Sequence, residues 1–576
     1  MNILWRFSRT CLPRSSSFSL HQISSFSSLS TPTTRIAIAR ASPQTCHSIW
    51  PQPRPRPGSL GTSRRELMTI AIETSCDDTC IAIIEKTNNN AARLHFNERL
   101  SLDIHEFRGV NPLGAVESHG RRLAKLLHKA LRALPEAPPP PPPPPPIKNN
   151  NNNKSHDYEK LVWIDGTPRR KPDFVSVTRG PGMPACLAVG INTAKALAVS
   201  WDVPLLAVNH MQGHALTPRL ARALVDEDGK RIFPADTMTT RSTSTSTSSS
   251  DRDQALKEGE GGREDVQFPF YSLLVSGGHS MLLSSQSLND HRILANADDV
   301  VVGNMLDKCA RAILPSSVVD ASSGDGRNMY GPLLEEFAFP GSRTTADGSY
   351  DYDYTPPRRR ADEIKIYDSG QGWFLTPPLA LSGRGEAAAA RYNFAGLNGA
   401  VQKVMLENKD MDVDMRRTLA RTTMRLAFEH LASRLVIALK KANNKPQPQP
   451  RSGDDDESSA ASTDAEGEGD GVQENSPPIK TVVLSGGVAS NKFLRHVVRG
   501  MLDARGFADV ELVAPPVALC CDNAAMIAWA AMDMYEAGWR SDLGVLALQT
   551  WSLDPSAEDG GILGPDGWYN VSTTKG

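Results

Sequence analysis

The feature that most constrains the fold is a strand followed at once by a glycine turn, a unit that recurs along the chain. A predicted strand at 270–275 runs into Ser276-Gly277-Gly278, and another at 480–484 runs into Ser485-Gly486-Gly487. Glycine permits positive φ and close approach to a phosphate, and successive N–H groups supply donors. With helical periodicity between the strands, the pattern predicts α/β architecture of two mixed-sheet lobes with a ligand between them.

An acidic hairpin tip adds to the two glycine turns. Residues 68–73 and 80–85 are short runs rich in β-branched residues, and the polar turn between them carries Ser75, Asp77 and Asp78. One Ser-Gly-Gly turn alone is as readily an ordinary tight turn. Two such turns after an acidic tip, in this order, favour an adenine nucleotide held by both lobes.

Five stretches are too biased in composition to join a core: 1–65, 138–160, 226–266, 341–363 and 442–478. The first holds nine arginines, no lysine and no acidic residue, which is typical of a mitochondrial presequence. The plain alternative is an arginine-rich disordered tail. The other four, with a polyproline run and acidic and Ser/Thr tracts, are predicted to be disordered inserts in surface loops.

Charge and cysteine content exclude several classes of protein. The 576 residues carry a net charge of −2, so a globally basic nucleic-acid binder is excluded and any such contact needs a local patch. Eight cysteines without a CxxC pair favour reduced thiols over a disulfide framework or a zinc knuckle. No apolar run reaches the ~18–20 residues of a transmembrane helix, so we expect no membrane partner.

The pair His210 and His214 predicts a metal site. Histidines at i and i+4 stand on one face of a helical turn, although two exposed or capping histidines would show the same spacing. Asp522, just ahead of the apolar helix 524–532, is the candidate third ligand. Imidazole and carboxylate ligands suit Fe²⁺, Zn²⁺ or Mn²⁺. Met211 occupies the place of the glutamate in HExxH, so a metalloprotease lacks its general base.

These segments, in this order, closely resemble the universal tRNA threonylcarbamoyltransferase family, formerly described as O-sialoglycoprotein endopeptidases. The matching segments cover nearly all of the ordered chain: 70–83, 118–131, 178–198, 209–216, 270–283, 303–313, 393–401, 482–495 and 521–530. The version Gly303-Asn304-Met305-Leu306-Asp307-Lys308 resembles the mitochondrial branch. Gln212 and Ala524 stand where the family usually has glutamate and glycine.

The resemblance implies an actin-like fold of two RNase H-like domains. The N-terminal lobe would span 66–225, the C-terminal lobe 267–550, and a tail 551–576 would follow. The activity would be transfer of a threonylcarbamoyl group from threonylcarbamoyl-adenylate to N6 of the adenosine beside the anticodon. The substrates would be mitochondrial tRNAs reading codons that begin with A. An actin-like ATPase or kinase, or a metalloprotease, is the alternative.

The resemblance also assigns site residues. His210, His214 and Asp522 would hold one divalent metal, Fe²⁺ or Zn²⁺, and Asp77 would be a catalytic residue near the transferring group. The residues that would contact the adenylate, with ATP as a further ligand, are Leu274, Val275, Ser276, Gly277, Gly278, Asp307, Gly331 and Asn491. Without the resemblance, Asp307 is better suited to a surface ion pair than to a ribose contact.

The implied partners are tRNA, a separate synthase that makes threonylcarbamoyl-adenylate, and a second copy of this chain in a homodimer. The implied location is the mitochondrial matrix. The basic residues Arg121, Arg122 and Lys125 on a predicted helix are candidates for tRNA contact, with a solvated helix face as the alternative.

Overall fold

The computed structural model describes most of the chain between residues 66 and 572. The described residues are 66–87, 90–102, 111–138, 160–234, 238–240, 266–322, 330–340, 352, 354–380, 389–443 and 477–572. The predicted presequence, and the greater part of the four predicted inserts, lie outside these residues.

The strands in chain order are β1 Leu67–Glu73, β2 Asp78–Lys86, β3 Ala92–Ser101, β4 Leu161–Ile164, β5 Thr167–Arg170, β6 Phe174–Gly180, β7 Leu205–Asn209, β8 Thr239–Thr240, β9 Phe270–Val275, β10 Ser280–Ser285, β11 His291–Ala297, β12 Tyr367–Asp368, β13 Phe374–Leu375, β14 Arg391–Tyr392, β15 Thr481–Ser485, β16 Glu511–Val513, β17 Trp539–Ser541 and β18 Trp568–Asn570. The helices are α1 Pro112–Leu131, α2 Pro184–Trp201, α3 His210–Ala223, α4 Val302–Ile313, α5 Ser316–Ser322, α6 Tyr330–Ala338, α7 Arg360–Glu363, α8 Ala395–Glu407, α9 Val413–Asn443, α10 Lys492–Ala504, α11 Val517–Cys520 and α12 Ala524–Glu536.

Two large sheets share one topology. In the first sheet, β3, β2 and β1 form an antiparallel meander, and β6 and β7 extend it in parallel from β1. In the second, β11, β10 and β9 form the meander, and β15 and β16 extend it in parallel from β9. The strand order 3-2-1-4-5 occurs in both, which confirms the predicted pair of RNase H-like domains in an actin-like α/β fold.

The helices form layers on both faces of these sheets. Helices α1 and α2 pack on the outer face of the first sheet, and α4, α6, α9 and α10 pack on the outer face of the second. Helices α3 and α12 share one apolar core with residues of both sheets, including Phe174 of the first and Phe270 of the second. The two lobes are therefore joined through α3 and α12, and the predicted metal ligands lie on α3 and in the loop just before α12.

Local sequence explains why the outer helices begin and pack as they do. Asn111 caps α1 by accepting from Leu113 N and Gly114 N, and Pro112 takes the first helical position, where no donor is needed. The buried residues of α1 include Leu123, Leu126 and Ala130, which recur at helical spacing and face the sheet. This amphipathic pattern makes the helix predictable from the sequence.

Three boundaries differ from the prediction. Strands β17 and β18 extend the first sheet beyond β7, so residues after α12 belong with the N-terminal lobe, although we assigned the chain to residue 550 to the C-terminal lobe. Strand β8, inside the predicted insert 226–266, pairs with β16 in the second sheet. Residues 354–363, at the end of the predicted insert 341–363, are also ordered and include α7. Two-residue strands and short helices are too brief to leave a periodic signal.

None of the helices in the described part of the chain is long and apolar enough to cross a bilayer.

Candidate metal centre and active site

The two candidate histidines stand at the start of α3, directly after β7. The side chain of Asn209 caps the helix by accepting from Met211 N at 2.9 Å and Gln212 N at 3.3 Å. This cap fixes the first turn, so His210 and His214 project from the same face with ring centroids 4.7 Å apart. Both imidazoles are buried, which makes them unlike the exposed pair that the spacing alone allowed.

Asp522 reaches the histidines from the loop before α12. Asn523 caps α12 by accepting from Met526 N at 3.0 Å, and this turn directs Asp522 toward α3. The close approach of the two helices depends on Gly213, because a Cβ there would lie 3.0 Å from Ile527 Cδ1 and 3.2 Å from Met526 Cγ. A glycine between the two histidines therefore sets the distance from imidazole to carboxylate.

The three side chains present converging ligand atoms. Asp522 Oδ1 lies 3.0 Å from His214 Nε2 and 3.6 Å from His210 Nε2, and one ligand atom from each residue falls within 4.8 Å of the others. Two imidazole nitrogens and a carboxylate oxygen are a donor set that Zn²⁺ and Fe²⁺ accept. The residues present therefore fit a divalent metal, and His214 Nδ1 is buried without a hydrogen-bond partner in the described residues.

Glu73, which was not predicted as a site residue, lies behind His210. Its Oε2 is 3.0 Å from His210 Nδ1, and its carboxylate also accepts from Ser75 N at 2.5 Å and from the Thr178 hydroxyl. Burial favours the neutral forms of His210 and Glu73, but neighbouring charges oppose this effect. The negative charges of Glu73 and Asp522 raise the pKa of His210 to about 9. The pKa of Glu73 is lowered, since His210 outweighs burial. Carboxylate–histidine pairs of this kind orient metal ligands.

The charge of Asp522 is also secured by its surroundings. Burial would raise the pKa of this carboxyl group, but the neighbouring His210, His214 and His279 lower it well below its usual range. His279 was not predicted as a site residue. Burial lowers its pKa to about 4, with His210 and His214 adding to the effect, so its imidazole is neutral at pH 7. The fourth residue of Ser-Gly-Gly-His thus lies close enough to the candidate metal ligands to interact with them electrostatically.

The first Ser-Gly-Gly turn joins the strands β9 and β10 beside this cluster. The hydroxyl of Ser276 accepts from Gly278 N at 3.2 Å and His279 N at 3.0 Å, which shapes the turn. A Cβ added at Gly277 or Gly278 would meet no described atom within 4 Å, so the backbone there borders open space. Leu274 and Val275 lie buried at the end of β9 and present only backbone to the turn.

The second Ser-Gly-Gly turn packs directly against the first. Gly486 has φ of +88°, and a Cβ there would lie 2.4 Å from Val275 O, so glycine is required by both conformation and space. The hydroxyl of Ser485 is buried without a hydrogen-bond partner among the described residues. The two turns that the sequence predicted to converge therefore do so, at the ends of the adjacent strands β9 and β15.

Three further predicted residues lie in the second lobe. Asp307 on α4 accepts from Gly331 N at 3.0 Å, and burial raises its pKa against the opposing charge of Arg311. Asn491 caps α10 by accepting from Leu494 N at 2.9 Å, and its amide nitrogen is 3.9 Å from Met424 Sδ. The Asn491 oxygen is thus engaged in the fold, and the amide N–H groups are the part that suits a ligand.

The hairpin loop with Asp77 is held by a histidine from α1. His119 is buried, with Nδ1 2.8 Å from the Thr79 hydroxyl and Nε2 3.0 Å from Cys76 O. Burial lowers its pKa, so the ring is neutral and uses both nitrogens within the protein. Asp77 is half-buried at the tip, next to Ser75, whose hydroxyl is 3.3 Å from His210 Nδ1. The loop therefore borders the metal ligands.

The basic residues predicted to contact tRNA lie on the exposed side of α1. Arg121 pairs with Glu117 at 2.5 Å, and Arg122 donates to Ser101 O at 2.6 Å. Both guanidinium groups thus have partners within the protein, while Lys125 is exposed.

Fold and site together define a two-lobed α/β protein with a candidate metal-ligand set where α3 and α12 join the lobes and two glycine turns at the ends of β9 and β15 in the second lobe. The family model "TsaD: tRNA N6-adenosine threonylcarbamoyltransferase" matches residues 165–229 and 254–529, which is more than half of the chain. The chain belongs to this family.

Two curated relatives match this chain over more than four fifths of its length. The "tRNA N6-adenosine threonylcarbamoyltransferase, mitochondrial" of Schizosaccharomyces pombe is 26% identical over 89% of this chain and 92% of its own length. The "Probable tRNA N6-adenosine threonylcarbamoyltransferase, mitochondrial" of Arabidopsis thaliana is 23% identical over 82% of this chain and 70% of its own length. The predicted family, its mitochondrial branch and the enzyme class, an acyltransferase, are confirmed.

Among solved structures, HypF of T. kodakarensis aligns with 84% of this chain and 49% of its own, at 11% identity and a TM-score of 0.36.

Proposed function

We propose that the protein transfers a threonylcarbamoyl group from threonylcarbamoyl-adenylate to N6 of the adenosine beside the anticodon. The substrates are mitochondrial tRNAs that read codons beginning with A. The observation that carries this proposal is the convergence of His210, His214 and Asp522 next to the open turn at Gly277 and Gly278. A metal site beside a phosphate-type turn suits a substrate that carries both a carbonyl and a phosphate.

In this proposal the second lobe holds the adenylate. The backbone from Leu274 to Gly278 holds the phosphate, and Asp307, Gly331 and Asn491 contact the adenosine. Because an acyl-adenylate already has a good leaving group, the reaction needs orientation and charge stabilisation rather than a protein nucleophile. N6 of the tRNA adenosine attacks the carbonyl carbon of the threonylcarbamoyl group. The bond between that carbon and the phosphate oxygen then breaks, and AMP leaves. Asp77 accepts the proton that N6 loses.

His210, His214 and Asp522 hold the divalent metal, Fe²⁺ or Zn²⁺, which when bound polarises substrate oxygens as a Lewis acid. Glu73 orients His210 by accepting from Nδ1, which leaves Nε2 to face the metal position. The neutral ring of His279 faces the same space and can donate or accept a hydrogen bond without adding charge.

The other expected partners are also proposals. A separate synthase supplies the adenylate, and a second copy of the chain forms a homodimer. Leu113 on α1 is 83% exposed and Val199 on α2 is 63% exposed, which gives the outer helices apolar surface for such contact. Neither alternative activity gains support from the site: Met211 is buried where a metalloprotease needs glutamate, and a kinase needs no histidine ligand set.

The experiment that tests the function supplies the donor directly. The purified protein is incubated with threonylcarbamoyl-adenylate and unmodified mitochondrial tRNA, and digested nucleosides are assayed by mass spectrometry for threonylcarbamoyladenosine. We expect product on a tRNA reading an A-initial codon and none on a tRNA reading other codons. ATP without the adenylate should give no product. Product from neither tRNA, with intact adenylate and folded protein, would refute the proposal.

Replacing Gly278 with alanine tests the role of the first glycine turn. The added methyl meets no atom of the described residues within 4 Å, and no positive φ is required, so we expect the free energy of unfolding to change by less than about 0.5 kcal/mol. The methyl would enter the space of the phosphate, so the affinity for the adenylate should fall roughly tenfold or more, as measured by isothermal titration calorimetry.

Gly303→Ala is the matched comparison on the other side of the same turn. Its Cβ would lie 2.5 Å from Ser276 O, which forces the turn to move. We expect this variant to lose about 1–3 kcal/mol of stability in urea unfolding. Equal loss of stability in both variants would contradict the assignment of open ligand space at Gly278.

A further inference from the structure

A cavity of about 650 Å³ opens on the C-terminal lobe, and the proposed reaction does not use it. Residues between 355 and 368 form one wall, and Arg425, Leu426 and Glu429 of α9 form the other. Met424, one residue before Arg425, faces Asn491 on the opposite side of the helix. Helix α9 therefore separates this cavity from the proposed adenosine site.

The acidic residues of the cavity mostly have partners within the protein. Glu363 accepts from Arg360 at 2.5 Å, from Ser433 at 2.8 Å and from Arg505. Asp362 Oδ2 accepts from Arg359 N at 3.0 Å, and Asp368 Oδ1 accepts from Gly370 N at 2.9 Å. These contacts fix the wall of the cavity, and the two arginines offset the charge of Glu363, while Asp362 and Asp368 keep theirs.

The basic residues at the mouth have few such partners. Arg358 and Lys365 are exposed and make no ion pair with any residue that the structure describes. Arg359 is 85% exposed, and its Nε makes a long ion pair of 4.0 Å with Asp362 Oδ2. The mouth of the cavity therefore carries an excess of positive charge, although the chain as a whole is nearly neutral.

The inner end of the cavity adds another unmatched cation. The guanidinium of Arg425 lies 5.1 Å from the ring centre of Tyr367, and its Nε is buried without a hydrogen-bond partner in the described residues. Glu429, next to it, is only 8% exposed. Burial raises the pKa of Glu429 to about 7 against the opposing effect of Arg425, so its charge only partly balances the cation at neutral pH.

Open apolar surface lies beside these cations. The short hairpin of β12 and β13 pairs Asp368 with Phe374, and the Phe374 side chain is 63% exposed. Ile366, next to Lys365, is 50% exposed. A solvent-facing aromatic ring on the same short segment as exposed arginine and lysine residues is a combination that suits single-stranded nucleic acid, because phosphates need cations and unstacked bases need a flat apolar partner.

We propose that residues 355–375 form an accessory RNA-binding surface for the tRNA substrate. Arg358, Arg359 and Lys365 contact its phosphates, Arg425 extends the cationic surface inward, and Phe374 stacks on an unpaired base. This inference rests on the proposed function, which makes tRNA the substrate. It also supplies the local basic patch that tRNA binding by a nearly neutral chain requires, since Arg121 and Arg122 on α1 already have partners in Glu117 and Ser101.

The test replaces the three mouth residues together, Arg358→Gln, Arg359→Gln and Lys365→Gln, in the full chain. Binding of unmodified tRNA is measured by fluorescence anisotropy at several salt concentrations. We expect affinity to fall roughly tenfold at physiological salt and the slope of log K against log salt to decrease by about 2, because about three phosphate contacts are lost. The KM for tRNA should rise, while kcat and the affinity for the adenylate stay unchanged.

The matched control removes three charges elsewhere on the same lobe: Lys403→Gln, Lys409→Gln and Lys440→Gln, all exposed. We expect tRNA affinity within about twofold of the wild type. Equal weakening by both triple variants would overturn the proposal, since it would mean a general charge effect rather than a defined surface.

Phe374→Ala tests stacking without a change of charge. We expect tRNA affinity to fall roughly tenfold with an unchanged salt slope, while Leu406→Ala, 71% exposed on α8, has no effect. Wild-type tRNA affinity in both the triple variant and Phe374→Ala overturns the inference and leaves the proposed function standing. A protein that binds adenylate but no tRNA in any form overturns the proposed function instead.

Discussion

Replacing Asp522 with asparagine is expected to abolish metal binding and to lower the rate of threonylcarbamoyl transfer by roughly 10²–10³-fold or more. Asparagine keeps the size of the side chain but removes its negative charge. The negative charge of Asp522 acts on both histidines, because Asp522 Oδ1 lies within 3.6 Å of Nε2 of each ring. A neutral amide is a poor ligand for Fe²⁺ or Zn²⁺, so two imidazoles alone would remain.

The first measurement is metal content after dialysis, by elemental mass spectrometry. The wild type should retain about one divalent ion per chain and the Asp522→Asn variant almost none. The second is thermal unfolding with added metal. At 100 times the dissociation constant, binding should stabilise the wild type by about 2.7 kcal/mol, and the variant should show no shift. This readout does not depend on activity.

Asp509→Asn, an exposed aspartate on the same lobe, is the matched control and should behave as the wild type does in both measurements. A variant at Asp522 that retains the ion and the thermal shift would refute the ligand assignment. If the Asp522→Asn variant forms product without bound metal, the proposed function stands but the metal is not required for it.

The parts of the site that the sequence predicted are those encoded within a few residues. The spacing of His210 and His214 needs only one helical turn, and both Ser-Gly-Gly turns follow strands that are evident from their β-branched residues. Asp522 could be proposed because it precedes a strongly apolar helix. The repeat of strand and glycine turn also predicted the two lobes, which the shared strand order confirms.

The parts that the sequence did not predict depend on contacts between distant segments. Glu73 ends a buried strand and has no local motif of its own, yet it meets His210, which is 137 positions further along the chain. Its only signal was an acidic residue at the end of an otherwise apolar strand. Likewise, β17 pairs with β7, which lies far earlier in the sequence, and no local periodicity predicts a pairing between such distant segments. His279 could have been found as the residue that follows Ser-Gly-Gly.

Replacing Glu73 with glutamine is expected to weaken metal affinity by about 10–100-fold, although Glu73 is not placed as a ligand. The carboxylate of Glu73 faces three donors: Ser75 N, the Thr178 hydroxyl and His210 Nδ1. With Nδ1–H donating to Glu73, Nε2 keeps its lone pair for the metal. A glutamine can turn its NH₂ group toward His210, which favours the tautomer with the proton on Nε2 and blocks ligation.

Stability alone would not distinguish this role from a structural one, because a buried carboxylate with three donors also supports the fold. We therefore pair Glu73→Gln with Thr178→Val, which removes one donor to Glu73 but leaves the contact with His210 intact. Both variants should lose about 1–3 kcal/mol in urea unfolding. Only Glu73→Gln should lose metal affinity in competition titrations with a chelator, and ¹⁵N spectra of its imidazoles should show a changed tautomer at His210. Equal metal affinity in the two variants would mean that Glu73 supports the fold without positioning the ligand.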